Sequence, residues 1–136
     1  MKIMAIDYGD AHTGIAVSDA LLTLAGFTTV ITAYRPEAEV QNLIAEHGVT
    51  ELVLGHPLNM DGTRGPRAEK AEGFAALLRE TTGLPVTLWD ERRTTVDAHN
   101  ILMAGGKNAK QRKKTVDAVA ASLMLEGYLT FKKRQK

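Results

Sequence analysis

Three strand-like apolar runs follow one another with no helix between them, and two further runs are each preceded by a helix. Residues 2–7 are apolar at successive positions, as a strand buried on both faces requires. A turn through Tyr8, Gly9 and His12 leads to residues 14–18, the expected hairpin partner. Gly26 precedes a third run, 27–32, rich in Thr, Val and Ile. Pro36 then opens a helix with Val40, Leu43, Ile44 and His47 on one face, and Gly48 stops it. Residues 51–55 form a fourth strand. Pro66 opens a second helix with Ala71, Phe74, Ala75 and Leu78 on one face and Gly83 at its end. Residues 86–89 form the fifth strand. Thr94 and Asp97 resemble a capping box that starts a helix through Ala98, Ile101 and Leu102, ended by Gly105 and Gly106. A last helix is expected from about Thr115 to Phe131.

The order βββαβαβαα predicts an α/β fold. A three-strand meander joins two strands that run parallel to the first through right-handed crossovers, in one mixed five-stranded sheet flanked by helices. The length of 136 residues predicts a single domain, 1–136. The C-terminal ends of strands one, four and five then share one edge, where open α/β sheets bind their ligands.

Charge narrows the partner. Residues 1–104 carry 8 Lys/Arg against 14 Asp/Glu, whereas residues 105–136 carry 9 against 2. The basic excess lies in two clusters, 107–114 and 132–136, and predicts an anionic polymer, although a solvated tail explains the second equally well. No apolar run approaches the ~20 residues of a membrane span. Cysteine is absent, which excludes disulfides and thiolate metal sites. The first residues enter a strand pattern without a signal-peptide layout, so a cytoplasmic location is expected.

Three acids lie at the ends of segments that read as buried. Asp7 closes the first strand, Glu91 follows the fifth, and Asp117 begins the last helix. Carboxylates gathered at one edge would repel one another unless a cation lay between them. An all-oxygen set suits Mg²⁺ or Mn²⁺ and phosphodiester hydrolysis. Each acid also has a plain structural explanation. Asp7 could accept turn N–H groups, and Asp117 could complement a helix dipole in the first turn by ~0.3–1 kcal/mol. Asp90 and Glu91 could be a charged strand exit, and strand alternation lets only one of them join Asp7. Lys113 and Lys114 precede Asp117 by four and three residues, and would stack beside it if the helix began early. The long loop 55–65 offers Asn59, Asp61 and Arg64 to a sugar–phosphate backbone, with Asp61 the reserve metal ligand. The four histidines, His12, His47, His56 and His99, lack zinc spacing. No Ser-His-Asp layout or Walker A loop is present.

Four motifs together resemble the YqgF/RuvX family of pre-16S rRNA nucleases, also described as Holliday-junction resolvase-like. They are Ile6-Asp-Tyr-Gly9 with the run from Gly14 to Asp19, the run from Val53 to Gly62, the run from Asp90 to Thr95 with Ala98, and the run from Val116 to Ala121. The resemblance covers nearly the whole chain. It implies a ribonuclease H-like fold, with Asp7, Glu91 and Asp117 as divalent-metal carboxylates. It implies trimming of precursor small-subunit rRNA, with branched DNA as the alternative substrate. Arg92, Arg93, Lys113 and Lys114 would hold the strand. A symmetric DNA junction would demand a homodimer, whereas RNA is compatible with a monomer. Three departures stand out. Ala11, His12 and Thr13 replace the family's usual basic residues before the second strand. Arg93 stands where relatives have Leu. Ala120 and Ala121 occupy the place of the second helix acid of junction resolvases. Two other readings compete: a nucleotide-binding domain of the actin or sugar-kinase type, and a non-catalytic ribosome- or transcription-associated module.

Overall fold

The computed structural model describes residues 2–9, 11–19, 21–22, 25–32 and 35–90. It also describes the backbone of a C-terminal helix from 109 to 134, with side chains from 118 to 133. Strands β1 (Ile3–Asp7), β2 (His12–Ser18) and β3 (Ala25–Thr32) precede helix α1 (Glu37–His47). Strand β4 (Glu51–His56), helix α2 (Pro66–Thr82), strand β5 (Val86–Asp90) and helix α3 (Ala109–Arg134) follow. The five strands form one sheet in the order β3-β2-β1-β4-β5. β1 is antiparallel to β2, β2 to β3, and both β4 and β5 run parallel to β1. The meander and the two parallel additions are therefore those the sequence order dictates. The expected helix at 94–102 lies outside the described residues.

Strand alternation splits the core into two layers. Met4 and Ile6 of β1, Ile15 and Val17 of β2, and Leu52 and Leu54 of β4 pack with Val40 of α1 and Phe74, Ala75 and Leu78 of α2. Ile3, Ala5, Ala16 and Val53 point the other way, onto Ala121, Met124, Leu125, Tyr128 and Leu129 of α3. β1 lies between two hydrogen-bonded neighbours with helices on both faces. This explains why Ile3, Met4, Ala5 and Ile6 are all fully buried and why the strand reads as an unbroken apolar run. At its start, one residue beyond the Met4–Val17 pair, the Ile3 N–H donates to the buried Ser18 hydroxyl at 2.9 Å.

Two expectations need correction. β2 begins at His12 rather than Gly14, because the pairing continues to the mouth of the hairpin. The last helix begins at Ala109, six residues before the predicted Thr115. Polar residues 110–114 hid its first turns, since an apolar stripe was the signal sought, and Lys and Arg are good helix formers. His47 does lie on the inner face of α1, with its ring against Phe27 at 4.4 Å.

Candidate active site at the C-terminal edge of the sheet

Asp7 is the last residue of β1, and alternation after Ile3 and Ala5 puts it on the α3 face. Its neighbour across β2 is Gly14. On the β4 side, one step beyond the Ile6–Leu54 pair, the level is that of Gly55. Gly14 shares the face of Ala16, and Gly55 that of Val53, so the carboxylate stands between two strand positions that carry no side chain. Half-buried, its carboxylate is a hard oxygen donor of the kind that divalent cations prefer.

The turn after Asp7 is fixed sterically. A Cβ on Gly9 would fall against the His12 backbone carbonyl oxygen, so only glycine lets the hairpin arms come this close. Tyr8 points to the opposite face and stacks on Phe74 of α2, with ring centroids 4.2 Å apart and planes at 7°. The half-buried Tyr8, stacked on the buried Phe74, thus anchors the turn that aims Asp7.

β5 ends at Asp90, level with His56 of β4. Thr87 and Trp89 meet α3 on one face: Thr87 lies 3.3 Å from the Tyr128 hydroxyl, and Trp89 sits edge-on to Tyr128. Val86 and Leu88 pack with the other layer, and Asp90 shares their parity. Asp90 is therefore directed away from the face of Asp7, as alternation predicted for one member of the Asp90–Glu91 pair. Glu91, Arg92 and Arg93 lie outside the described residues. So do the side chains of Lys113, Lys114 and Asp117, although their backbone is helical. Asp117 is the ninth residue of α3, well past the first turn, and no acid occupies that first turn. The helix-dipole explanation for Asp117 is removed by this placement.

The loop after β4 is ordered by a carboxylate that sequence reasoning missed, Glu72. His56 Nε2 lies 2.7 Å from Glu72 Oε2 on α2. Arg64, at the far end of the loop, donates from Nε to the same oxygen at 2.7 Å and from Nη2 to Oε1 at 2.5 Å. Arg64 and His56 together hold the Glu72 carboxyl down at about 2, the Arg64 guanidinium contributing most. The signal was faint: an acid bordering the Ala68–Ala71–Ala75 stripe of α2, and a loop with a single cation. Asn59 Nδ2 donates to the Thr63 hydroxyl at 2.9 Å, so both predicted loop contacts, Asn59 and Arg64, have partners within the protein. Asp61 accepts from the Thr63 N–H at 3.0 Å and from its hydroxyl at 2.6 Å, which places the reserve ligand in a turn. Among the described residues no three His, Asp or Glu side chains converge in a metal-binding group.

At the opposite edge, Glu51 opens β4 and accepts a short hydrogen bond from the buried Tyr128 hydroxyl and one from Lys132 Nζ at 2.6 Å. This brace fixes where α3 meets the sheet.

A five-stranded mixed sheet of this order, with an aspartate ending its central strand and a long helix closing that face, defines the ribonuclease H-like class. The RuvC protein of Thermus thermophilus, solved with a Holliday junction substrate, superposes with a TM-score of 0.63 at 17% identity, covering 98% of this chain and 96% of that one. A ROK family protein of Streptococcus pneumoniae matches 78% of this chain with a TM-score of 0.51, but only 39% of its own length is covered. The profile of the RuvX family, described as Holliday junction resolvase, matches residues 1–131. A Carboxydothermus hydrogenoformans protein is 43% identical over 137 residues, covering 98% of this chain and 99% of that one. A Geobacillus kaustophilus protein is 44% identical over 138 residues, covering 98% and 100%. Both carry the name "Putative pre-16S rRNA nuclease". The chain belongs to the RuvX family, and with it to the nucleases, hydrolases of phosphodiester bonds.

Proposed function

We propose that this protein is a metal-dependent endonuclease that cuts structured RNA and matures the 5′ end of pre-16S rRNA as a single cytoplasmic domain. The observation that carries this reading is Asp7, set between Gly14 and Gly55 on the α3 face of the sheet's C-terminal edge. The donor chemistry fits a divalent cation that prefers oxygen.

Asp7, Glu91 and Asp117 are the proposed ligands. Helix geometry supports the third. Tyr128 meets Glu51 at the far edge of the sheet. The eleven residues back to Asp117 span about 16 Å at helical rise. The strand from Glu51 to Gly55 spans about 13 Å, so the helix is long enough to return Asp117 to the level of Asp7. Asp117 also precedes Ala121 by four residues and Met124 by seven, the spacing of the sheet-facing stripe. Mg²⁺ or Mn²⁺, when bound, supplies the electrostatic stabilisation that phosphodiester hydrolysis needs. The chain's own contribution is to orient the carboxylates and to hold the strand. Lys113 and Lys114 on α3, with Arg92 and Arg93 after β5, are the proposed phosphate contacts.

Branched DNA is the second reading, favoured by the description of the matching family. A homodimer would then be needed to cut a symmetric junction twice. The test offers a precursor rRNA fragment and a four-way DNA junction in parallel, with Mg²⁺ or Mn²⁺. RNA cutting that both Asp7→Asn and Asp117→Asn abolish is the expected result. Cutting that persists in both variants refutes the site, and cutting of the junction alone transfers the function to DNA.

A further inference from the structure

Strand β2 starts at His12, two residues before Gly14, the position paired with Asp7. Alternation gives His12, Gly14 and Ala16 one face, and Ala16 packs on α3. Ile15 and Val17 take the other face, in the layer of α1 and α2. His12 therefore shares both the face and the sheet edge of Asp7. It is the diagonal neighbour of that acid across the hairpin, a relation that sets Cα atoms about 7–8 Å apart. The position directly across from Asp7 is Gly14, so no side chain of β2 stands between the two. The bare Gly9 lets this hairpin close, since a Cβ there would meet the His12 carbonyl.

The His12 imidazole has an unspent nitrogen. Its Nδ1 is buried and has no hydrogen-bond partner among the described residues. Native folds pair nearly all buried polar atoms, and an exception calls for an ion, a water or a chemical role. The other described histidines differ. His56 is engaged by Glu72. His47 also has a buried nitrogen without a partner, Nε2, but its ring lies against Phe27, in the layer opposite the Asp7 face. Among the described histidines only His12 sets an unpaired nitrogen on the face of that acid. An N–H at Nδ1 would be buried without an acceptor, so hydrogen-bond accounting leaves the proton on Nε2 and an electron pair on Nδ1. A neutral imidazole nitrogen with a free electron pair is a metal ligand. A lysine or arginine here would instead bring a fixed charge that competes with a cation for the carboxylate.

We propose that His12 binds the divalent cation through Nδ1 together with Asp7, which makes the site a mixed nitrogen and oxygen one that favours Mn²⁺ over Mg²⁺. Magnesium takes oxygen ligands and keeps much of its water, whereas imidazole is a ligand of transition ions. The inference rests on the metal-dependent reading for its ion and specifies which ion that is.

The test uses the full chain and Mn²⁺ alone, read by electron paramagnetic resonance. The signal of free Mn²⁺ gives the affinity, and spin-echo modulation reports a directly bonded ¹⁴N. Wild type should show that nitrogen coupling. His12→Ala should lose it and bind Mn²⁺ about tenfold more weakly, while Mg²⁺, measured by competition, weakens by no more than about twofold. His12→Gln returns an oxygen in place of the nitrogen, and should bind both ions without the coupling. A thermal melt checks that each variant is folded, and His12→Gln serves if His12→Ala is not. Mn²⁺ bound without nitrogen coupling, or a coupling that survives in the folded variants, overturns the His12 ligand and leaves the carboxylate reading intact. A wild type that binds no Mn²⁺ overturns both. A coupling that depends on His12 in a protein that cuts neither RNA nor a DNA junction keeps the ligand and removes the nuclease reading instead.

Discussion

Glu72 illustrates how much one side chain can organise. Its carboxylate receives a histidine and an arginine from opposite ends of one loop. Its folded pKa of about 2 lies below the ordinary value of 4.5. A depressed carboxyl stabilises the fold above its unfolded pKa and loses that effect as pH falls through the folded value. The thermal-stability difference between wild type and Glu72→Gln should therefore be constant from pH 7 to about 5 and vanish between roughly 4.5 and 2, as melts across that range would show. A constant difference down to pH 2 would disprove the clamp. Gly9 gives a steric prediction. Gly9→Ala pushes a Cβ onto the His12 carbonyl and should cost on the order of 1–3 kcal/mol in urea denaturation. Asp7→Asn removes a proposed ligand from an edge position, so cleavage should fall at least about 100-fold while the circular dichroism spectrum is retained. At this scale the sequence was legible where a residue type serves the backbone directly, as at Gly9 in the turn after the strand end at Asp7. It was silent on Glu72, because a clamp between residues 56, 64 and 72 has no periodicity and forms only when loop and helix are brought together.

Among the elements, α3 changes the interpretation most. Its early start at Ala109 puts Lys113 and Lys114 within the same helix as Asp117, one turn before it. Replacing both lysines by alanine should weaken RNA binding and lower the slope of log affinity against log salt by about 2, one per phosphate contact, in filter-binding titrations. An unchanged slope would place these lysines away from the RNA. The small residue Ala121 is buried where the helix meets the sheet. Small side chains let helix and sheet approach closely, which is what a short Asp side chain at 117 requires. Strand and helix identities were readable from period and punctuation, since Pro36, Gly48, Pro66 and Gly83 stand at or next to the observed helix ends. The start of α3 was not, because residues 110–114 in its first turns carry no apolar pattern.

Across the whole molecule, the two edges of the sheet divide the work. The C-terminal edge carries Asp7 and the loop held by Glu72, and the N-terminal edge carries the Glu51–Tyr128–Lys132 brace. Burial first, then the Glu51 carboxylate, pushes the Tyr128 phenol up, and the hydrogen bond to Glu51 raises Lys132. Both shifts have the same sign for stability. The neutral phenol and the charged ammonium are the favoured folded forms, so their contribution is complete below pH about 10 and lost as pH rises through the raised values. Tyr128→Phe leaves Glu51 short of a donor and should cost about 1–3 kcal/mol by denaturation, with cleavage at neutral pH unaffected. A comparable loss of cleavage would mean that the two edges are coupled. Among the described residues no helix is long and apolar enough to cross a membrane.

The sequence by itself determined the order of the described elements, the sheet they must form and the edge at which Asp7 ends its strand, because period, glycine and proline act locally along the chain. Only the tertiary structure decided that Asp7 sits between two glycines on the α3 face, that Asp90 faces away, and that one glutamate holds both feet of a loop. Those are contacts between segments far apart in sequence, and they exist only once hydrophobic burial has fixed which face of each strand and helix turns inward.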